Sequence, residues 1–416
     1  MIEKPTLSTT QEQILRDQVI DADHPGPVLR DFQTLLDFVG TQGVKAGGKY
    51  NLLPIGAIGD LDQRLSRPLR LPLKRPQLRS HPYLQGLHLL FRASGLSRIE
   101  GTGEKARLAV DPAVFERWNR LNPTEQYFTL LEAWLRVGRP EMVGGRGSGF
   151  GGLRLPCLQT WREIPARGQR FDLRQAQDAY LLGIGREFYQ LALMDLFGLL
   201  EVEHPHQPLQ PWCPAAVRHS PFGDALFTLL LHWLWPPWRD EGQGGDDQDE
   251  DEPAAVLRFG RWQPFFQPYF PEWRENLVLP EAKARGGVFV FRVSLGQVWR
   301  RIAMPADSTL EDLVSWILRS VRFDSDHLYE FAYRDRFGAM VRVEHPDSGE
   351  GPWTDEVGVG ELPLEPGQSM TFTYDFGDNW QFDVKLERIE PPGARIKAPR
   401  ILEKHGKAPE QYPDWG

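Results

Sequence analysis

The chain has 416 residues, of which 41% are hydrophobic, so it can bury two or three cores of ordinary domain size. Its longest apolar run, 225–235, is too short to span a bilayer, and its polar start lacks a signal-peptide pattern, so we expect a cytoplasmic protein with no membrane partner. The net charge of −9 argues against a general nucleic-acid binder, and the isolated Cys157 and Cys213 argue against a disulfide framework or a zinc ribbon.

Charge is distributed unevenly along the chain. Residues 240–252 contain eight acidic residues and no basic ones, so the remainder of the chain is close to neutral. Glycines and the lack of apolar residues predict a disordered acidic linker over 240–254. By contrast, 61–80 is basic and supplies the candidate nucleic-acid contacts. These candidates are Arg64, Arg67, Arg70, Lys74, Arg75 and Arg79. Interleaved prolines predict an extended strap there, with a solvated loop as the alternative.

The first predicted domain follows a flexible N-terminus at 1–24 and covers 25–136. Apolar residues recur at helical spacing over 29–39 and 83–91, and 95–110 alternates around a glycine-rich turn. A helix followed by a small β-hairpin is typical of a winged-helix unit.

The same pattern appears again over 154–239, after a glycine-rich linker at 137–153. An apolar helix at 189–200 precedes two strand candidates and a second apolar helix at 225–235. We therefore expect two winged-helix-like units, with an all-helical bundle as the alternative. The linker is not predicted to bind nucleotide, because no Gly-Lys-Ser/Thr follows its glycines.

The third predicted domain covers 255–416 and contains most of the strand signals. A hairpin over 288–304 precedes a helix in which Ser308 and Glu311 form a candidate capping box. Further strand candidates follow at 328–333, 340–343 and 370–388. A hairpin followed by a helix across its sheet is typical of a ubiquitin-like β-grasp, so the predicted fold class is α+β.

Several motif residues stand out in this third domain. They are Trp299, Arg300, Arg301, His327, Tyr374, Asp375, Gly377, Asp378 and Trp380. In these positions the chain resembles the plasmid pRiA4b ORF-3-like family, also labelled an insertion-sequence passenger TnpR family. The resemblance covers about 257–416 and implies a mobile-element association, but no agreed activity. The family usually has histidine where this chain has Phe382, so a role that depends on that histidine is not expected here.

Carboxylates near the motif 374–380 allow two interpretations. Asp375, Asp378 and Asp383 with His327 are candidate ligands for a divalent metal in a nuclease. The preferred interpretation is structural, because Asp and Asn cap backbone amides in glycine-containing turns. No catalytic residue, metal or cofactor is therefore predicted.

The adjacent arginines of the Trp-Arg-Arg motif also allow two interpretations. Guanidinium groups beside a tryptophan can bind phosphate or stacked bases. Neighbouring positions on one strand face opposite ways, so we expect one of Arg300 and Arg301 to pair with Asp375 or Asp378, and Trp299 to be at least half-buried.

These observations favour a non-enzymatic adaptor. The helical region is expected to bind nucleic acid or a protein, and the β-grasp module a protein partner; no small-molecule substrate is inferred. The alternative is a recombination or nuclease accessory of a mobile element or defence system, with a carboxylate site near Asp375 and Asp378. A third hypothesis is that the acidic linker mimics DNA.

Overall fold

The computed structural model describes residues 7–71, 73–145, 152–165, 168–171, 188–204, 212, 214–234, 258–281, 283–349, 351–393 and 397–412. The chain divides into two compact units. The first unit comprises Met1–Glu100 and Lys105–Pro280, and the second comprises Gly101–Glu104 and Glu281–Gly416. Helices and strands are both abundant, which confirms the α+β class.

Helices make up most of the first unit. They are α1 Thr9–Asp17, α2 Val28–Val39, α3 Ile55–Arg64, α4 Pro82–Ala93, α5 Pro112–Trp118, α6 Pro123–Glu132, α7 Arg154–Glu163, α8 Tyr189–Leu196, α9 Pro221–Leu234 and the short α10 Gln263–Phe266. The strands are β1 Val44–Lys45, β2 Ser97–Glu100, β3 Arg107–Val110, β4 Gln169–Arg170, β5 Leu200–Glu203 and β6 Ala216–His219. Among the described residues, no helix is long and apolar enough to cross a bilayer.

The two small sheets of the first unit have the same strand order. Strand β3 lies between β1 and β2, and β6 lies between β4 and β5. All of these pairings are antiparallel, and β2–β3 and β5–β6 are the predicted hairpins. Helix α4 precedes the first hairpin and α8 precedes the second. A helix, a hairpin and one earlier strand therefore occur together twice in this unit.

Helices α4 and α8 lie at the centre of the first unit and pack against each other. Every residue of both helices is buried. Their contact is close, because a Cβ atom placed on Gly86 would come within 2.7 Å of Leu193 Cγ. It also includes a hydrogen bond of 2.7 Å, in which the Tyr83 hydroxyl donates to Asp195. A helix without an exposed face must be covered all round, and each of these two helices covers part of the other.

The segment 258–280 belongs to the first unit, whereas the sequence pattern places everything from residue 255 onwards in the C-terminal domain. The buried carboxylate of Glu132 holds this segment, because it accepts hydrogen bonds from the backbone of Gly260 at 2.9 Å and Trp262 at 2.8 Å. Burial raises the pKa of Glu132, although these amides and a neighbouring guanidinium oppose that shift. Such long-range contacts have no local sequence signal.

The second unit is one sheet covered by one helix. Its strands are β7 Val288–Leu295, β8 Val298–Pro305, β9 Tyr329–Arg334, β10 Met340–Glu344, β11 Ser369–Tyr374, β12 Trp380–Glu390 and β13 Arg400–His405, and its helix is α11 Leu310–Val321. The strand order is β10-β9-β11-β12-β7-β8-β13, and every neighbouring pair is antiparallel. The predicted hairpin is β7–β8, and the predicted helix is α11.

The core of the second unit lies between α11 and one face of the sheet. Alternating residues of β7 point into it, and Phe289 and Phe291 are fully buried there. The apolar residues Leu310, Leu313, Val314, Ile317, Leu318 and Val321 of α11 recur three and four positions apart and are buried on the facing side, whereas Trp316 is half-buried. The predicted stripe is therefore the surface that attaches the helix to the sheet.

Helix α11 begins one residue later than predicted. Thr309 accepts from the Asp312 amide at 3.2 Å, and the Asp312 carboxylate accepts from the Thr309 amide at 3.0 Å, which completes a capping box. The prediction of Ser308 with Glu311 is wrong because Glu311 accepts hydrogen bonds from side chains outside the helix.

Some predicted features lie outside the described residues. They are the acidic linker at 240–254, the glycines at 146–151 and Cys213. Cys157 is a buried free thiol, as expected for an isolated cysteine.

Replacing Gly86 with alanine should destabilise the first unit by about 1–3 kcal/mol, because the added methyl group meets Leu193 in a filled contact. The matched control is Gly59→Ala in α3, where a Cβ meets nothing within 4 Å. That change should stabilise by about 0.5–1 kcal/mol, the usual helix-propensity gain. Chemical denaturation of the full chain measures both, and equal effects at the two positions would contradict the close packing of α4 on α8.

Candidate functional site

Hydrogen bonds between its own residues hold the motif 374–380, here called the hallmark turn, in one conformation. Asp375 and Asn379 both have positive φ angles, of 54° and 55°. The Asp375 carboxylate accepts from the amides of Gly377 at 2.9 Å and Asp378 at 3.3 Å, and its carbonyl accepts from Asn379 at 2.6 Å. Asp and Asn tolerate left-handed angles better than most residues, so this geometry accounts for their presence.

His327 lies beside the hallmark turn and contacts the C-terminal segment. Its Nε2 atom is 2.8 Å from the Tyr412 hydroxyl and 3.6 Å from the second carboxylate oxygen of Asp375. The neighbouring Leu328 carbonyl accepts from the Asp375 amide at 3.0 Å. The start of β9, the end of β11 and the C-terminal segment therefore meet at one histidine.

Asp324 joins the same three segments through its carboxylate. It accepts from Gln411 at 2.6 Å, from Tyr374 at 2.9 Å and from Tyr412 at 2.9 Å, while its amide donates to Gln411 at 2.8 Å. Desolvation would raise the pKa of Asp324, but the hydrogen bonds from these side chains and from Asp326 lower it well below its usual range. The same contact helps burial raise the pKa of Tyr374, so its hydroxyl keeps its proton.

The structure brings His327 and Asp375 together, but it does not add Asp378 or Asp383 to them as a group of metal ligands. Asp383 is exposed on β12, opposite Thr371 and Ser294, and Asp378 is exposed in the hallmark turn. Among the described residues, the group whose oxygen and nitrogen atoms approach within 4.8 Å is Asp324, Asp326 and His327. Within it, Asp324 and His327 are already hydrogen-bonded to tyrosine or glutamine side chains.

Phe382, which stands where the related family usually has histidine, is buried in the core. Its ring centroid lies 5.6 Å from that of Phe372 and 6.3 Å from that of Phe323. Position 382 therefore points away from the polar side chains around Asp324.

Arg300 is a buried cation whose hydrogen bonds run to backbone carbonyls. It donates to Ser320 at 3.1 Å, to Trp299 at 2.8 Å and to His405 at 2.7 Å, with a longer contact to Gly406. Because Ser320 lies in the last turn of α11, the guanidinium satisfies a carbonyl at the negative end of that helix. Burial lowers the pKa of Arg300.

Arg301 faces the opposite side of the sheet, as predicted, but its partners are different from those expected. It pairs with Glu387, at 2.6 Å, and with Glu403. The prediction that one of the two arginines pairs with Asp375 or Asp378 is wrong, because those carboxylates lie at the far end of β11. Trp299 is half-buried, as predicted, and lies beside Arg301 and His405.

The basic segment of the first unit divides into two parts. Arg64 pairs with Asp60 at 2.8 Å, and Arg67 forms an ion pair with the buried Asp195. The Arg70 amide donates to Asp62 at 2.9 Å, although its side chain is exposed. The side chains of Lys74, Arg75 and Arg79 are exposed as well. Arg67 therefore has a structural role that local sequence could not reveal.

Large apolar side chains around His327 are exposed. Leu328 is 42% exposed, Phe376 53% and Tyr412 55%. We call these three side chains the apolar patch. They are attached to the residues that the hydrogen bonds of Asp324, Asp375 and His327 hold in place. Asp324, Gln411 and Tyr412 are not among the site residues predicted from the sequence, because their contacts join segments that are far apart in the chain.

Arg300→Ala should destabilise the second unit by about 2–4 kcal/mol, because it leaves the buried Ser320 carbonyl and two part-buried carbonyls without a donor. The neighbouring Arg301→Gln is the matched control and should cost less than about 1 kcal/mol, since its ion pairs are partly exposed. Thermal and chemical denaturation of the full chain compare them. A larger loss for Arg301→Gln would contradict the structural role of Arg300.

A comparison with family models agrees with the resemblance that the motifs indicate. Residues 288–412 match the model of a family described as Plasmid pRiA4b ORF-3-like protein. The chain is similar to Uncharacterized protein y4hQ of Sinorhizobium fredii (strain NBRC 101917 / NGR234), with 32% identity over 118 residues, or 27% of this chain and 58% of that protein. It thus spans less than two thirds of that relative. A solved protein of unknown function from Methanosarcina mazei Go1 is 26% identical, covering 30% of this chain and 72% of that one with a TM-score of 0.27. The predicted family resemblance is therefore confirmed for residues 288–412, within the expected range of 257–416.

Proposed function

We propose that the protein is a non-enzymatic cytoplasmic adaptor that binds a protein partner through the apolar patch of its second unit. The exposure of Phe376, at 53%, carries this proposal. Phe376 adds nothing to the core, although it lies in a turn whose other residues are fixed by hydrogen bonds. Exposed aromatic side chains on a rigid support are typical of residues that dominate protein interfaces.

The support beneath the patch is well suited to binding. Asp324, His327 and Asp375 fix the backbone on both sides of Leu328 and Phe376 before any partner arrives. A partner therefore meets a surface whose conformational entropy has already been lost, and less binding free energy is spent on ordering it.

For the first unit we propose two winged-helix-like halves that together form a protein scaffold. In such units the helix before the hairpin is the one that enters the DNA major groove. Helices α4 and α8 occupy that position, and both are buried against each other. Their burial favours a role in protein contact over base recognition by either helix.

For the second unit we keep the β-grasp description as part of the proposal. It is supported by the order of a hairpin, a helix that crosses the sheet and later strands. The additional strands β10 and β13 widen this sheet at its two edges.

Phe376→Ser should abolish or strongly reduce recovery of the partner, because it removes the largest exposed apolar group of the patch. The measurement is quantitative mass spectrometry of proteins that co-purify with the full-length chain from its native cells. The control is Met340→Ser, which removes another exposed apolar side chain, 39% exposed, from β10 of the same unit. A partner profile unchanged by Phe376→Ser, or lost equally with Met340→Ser, would refute the proposed role of the patch.

Nucleic-acid binding by the first unit is a second candidate function. It is favoured by the exposed cations Lys74, Arg75 and Arg79, which form no ion pair with any residue that the structure describes. Backbone phosphates would be their natural partners, and such binding would weaken as salt rises.

Changing Lys74, Arg75 and Arg79 together to glutamine should reduce duplex binding by the full chain at least about tenfold at low salt. The control is Arg64→Gln, because Arg64 already pairs with Asp60. Fluorescence anisotropy with labelled duplex at two salt concentrations gives the readout. Salt-independent binding, or none at low salt, would remove this candidate.

An accessory enzyme with a carboxylate site at Asp375 and Asp378 has less support. One oxygen of Asp375 already caps two amides, and Asp378 is exposed to solvent. Stoichiometric divalent metal in the purified protein would favour this alternative over the adaptor.

A further inference from the structure

A cleft of about 720 Å³ opens at the surface of the second unit between α11, the start of β9 and His345, which follows β10. Val314, Leu318 and Phe323 form its base, with Phe323 the most exposed of the three, and Tyr329 and His345 line the opposite side. The apolar patch and its hallmark turn do not line this cleft, so its chemistry can be considered separately.

The carboxylates in the cleft already accept hydrogen bonds from the protein. Glu311 accepts from Tyr329 and from Thr354, each at 2.6 Å. Asp324 accepts from three side chains on its other side. Burial and the Glu311 contact raise the pKa of Tyr329, which keeps its hydroxyl a donor to Glu311. Both carboxylates keep their charge, but neither forms an ion pair with a cation that lines the cleft, and the oxygens named here are engaged by protein donors.

Unlike these carboxylates, the guanidinium groups of the cleft have no hydrogen-bond partners among the described residues. Arg319 and Arg322 both line it and are both exposed. Arg319 lies over the Trp316 ring, and neither guanidinium group has a hydrogen bond or ion pair to any part of the chain that the structure describes. Two guanidinium groups with unused donors thus line the cleft.

His345 adds a third donor. Its Nδ1 atom accepts from the Asp347 amide at 2.9 Å, which places the ring proton of the neutral imidazole on Nε2. The ring lies 4.6 Å from that of Tyr329, with its edge toward it. Among the described residues, no hydrogen bond uses Nε2 as a donor.

Arg322 also occupies a backbone position that favours glycine. It ends α11 in the left-handed conformation, with a φ angle of 66°. Glycine adopts this conformation without steric cost, whereas arginine does not. The arginine is therefore not explained by the needs of the helix end, and its side chain contributes a cation to the cleft.

We propose that this cleft binds a small organic oxyanion with an apolar body, such as an aryl carboxylate or an aryl phosphate. The oxyanion accepts hydrogen bonds from Arg319, Arg322 and His345, and the apolar body lies against Phe323 and the His345 ring. Arginine's planar fork of donors matches the oxygens of carboxylate and phosphate. This site is distinct from the protein-binding patch and does not depend on the proposed adaptor function.

The test is isothermal titration calorimetry of the full chain with phenylacetate, phenyl phosphate and the neutral phenylacetamide. We expect one site for at least one anion, with a Kd below about 1 mM, and no measurable binding of the amide. The better of the two anions identifies the oxyanion that the cleft prefers. Binding of the amide as tight as that of the anions, or no binding of either anion, would overturn the proposal.

Arg322→Gly is the decisive variant, because glycine suits the backbone there and the fold should keep or gain stability. It should weaken anion binding at least about tenfold, the usual effect of losing a charged hydrogen-bond donor. Arg319→Gln should act in the same direction. The control Arg342→Gln removes an arginine on β10 that pairs with Glu330, and it should leave binding unchanged.

The same two variants, each measured for anion binding and for partner recovery, separate the two proposals. Phe376→Ser should retain anion binding, and Arg322→Gly should retain the protein partner. Unchanged anion affinity in a folded Arg322→Gly protein would refute the cleft assignment without affecting the patch.

Discussion

The carboxylate of Asp324 is the interaction on which the candidate surfaces of the second unit depend. It collects donors from β11 and from the C-terminal segment, which are far apart in sequence, and it holds them beside the end of α11. Because a carboxylate offers several acceptor positions, one side chain can join segments that share no backbone pairing. Asp324 lines the cleft and also holds Tyr412, which belongs to the patch.

The two arginines of the Trp-Arg-Arg motif show how neighbouring residues take different roles. Arg300 is directed into the structure and satisfies carbonyls, including one at the end of α11. Arg301 is directed to the other face and pairs with two glutamates across the sheet. A phosphate ligand for Arg300 would have to compete with several buried hydrogen bonds, so the motif is better explained by its contribution to the fold.

Sequence patterns predicted those parts of the fold that depend on local periodicity. The stripe of α11, the hairpin β7–β8 and both hairpins of the first unit were accessible because burial on one face leaves a regular apolar spacing. The attachment of 258–280 to Glu132 and the pairing of Arg67 with Asp195 were not, because single long-range contacts leave no period. In the candidate site, His327 and Asp375 were identified from motifs. The cleft was missed because His345 comes from a different element than Arg319 and Arg322, and its proximity to them depends on tertiary structure.

The matching strand orders of the two small sheets have a consequence for the independence of the halves of the first unit. Each half contains a central helix that is buried on all sides, and part of the surface that buries it comes from the other half. Such an arrangement behaves as a dimer within a single polypeptide, in which the covalent connection replaces the concentration dependence of association. Separating the halves would expose the buried surfaces of both helices and leave the carboxylate of Asp195 without Tyr83 and Arg67, so we expect the two halves to fold cooperatively.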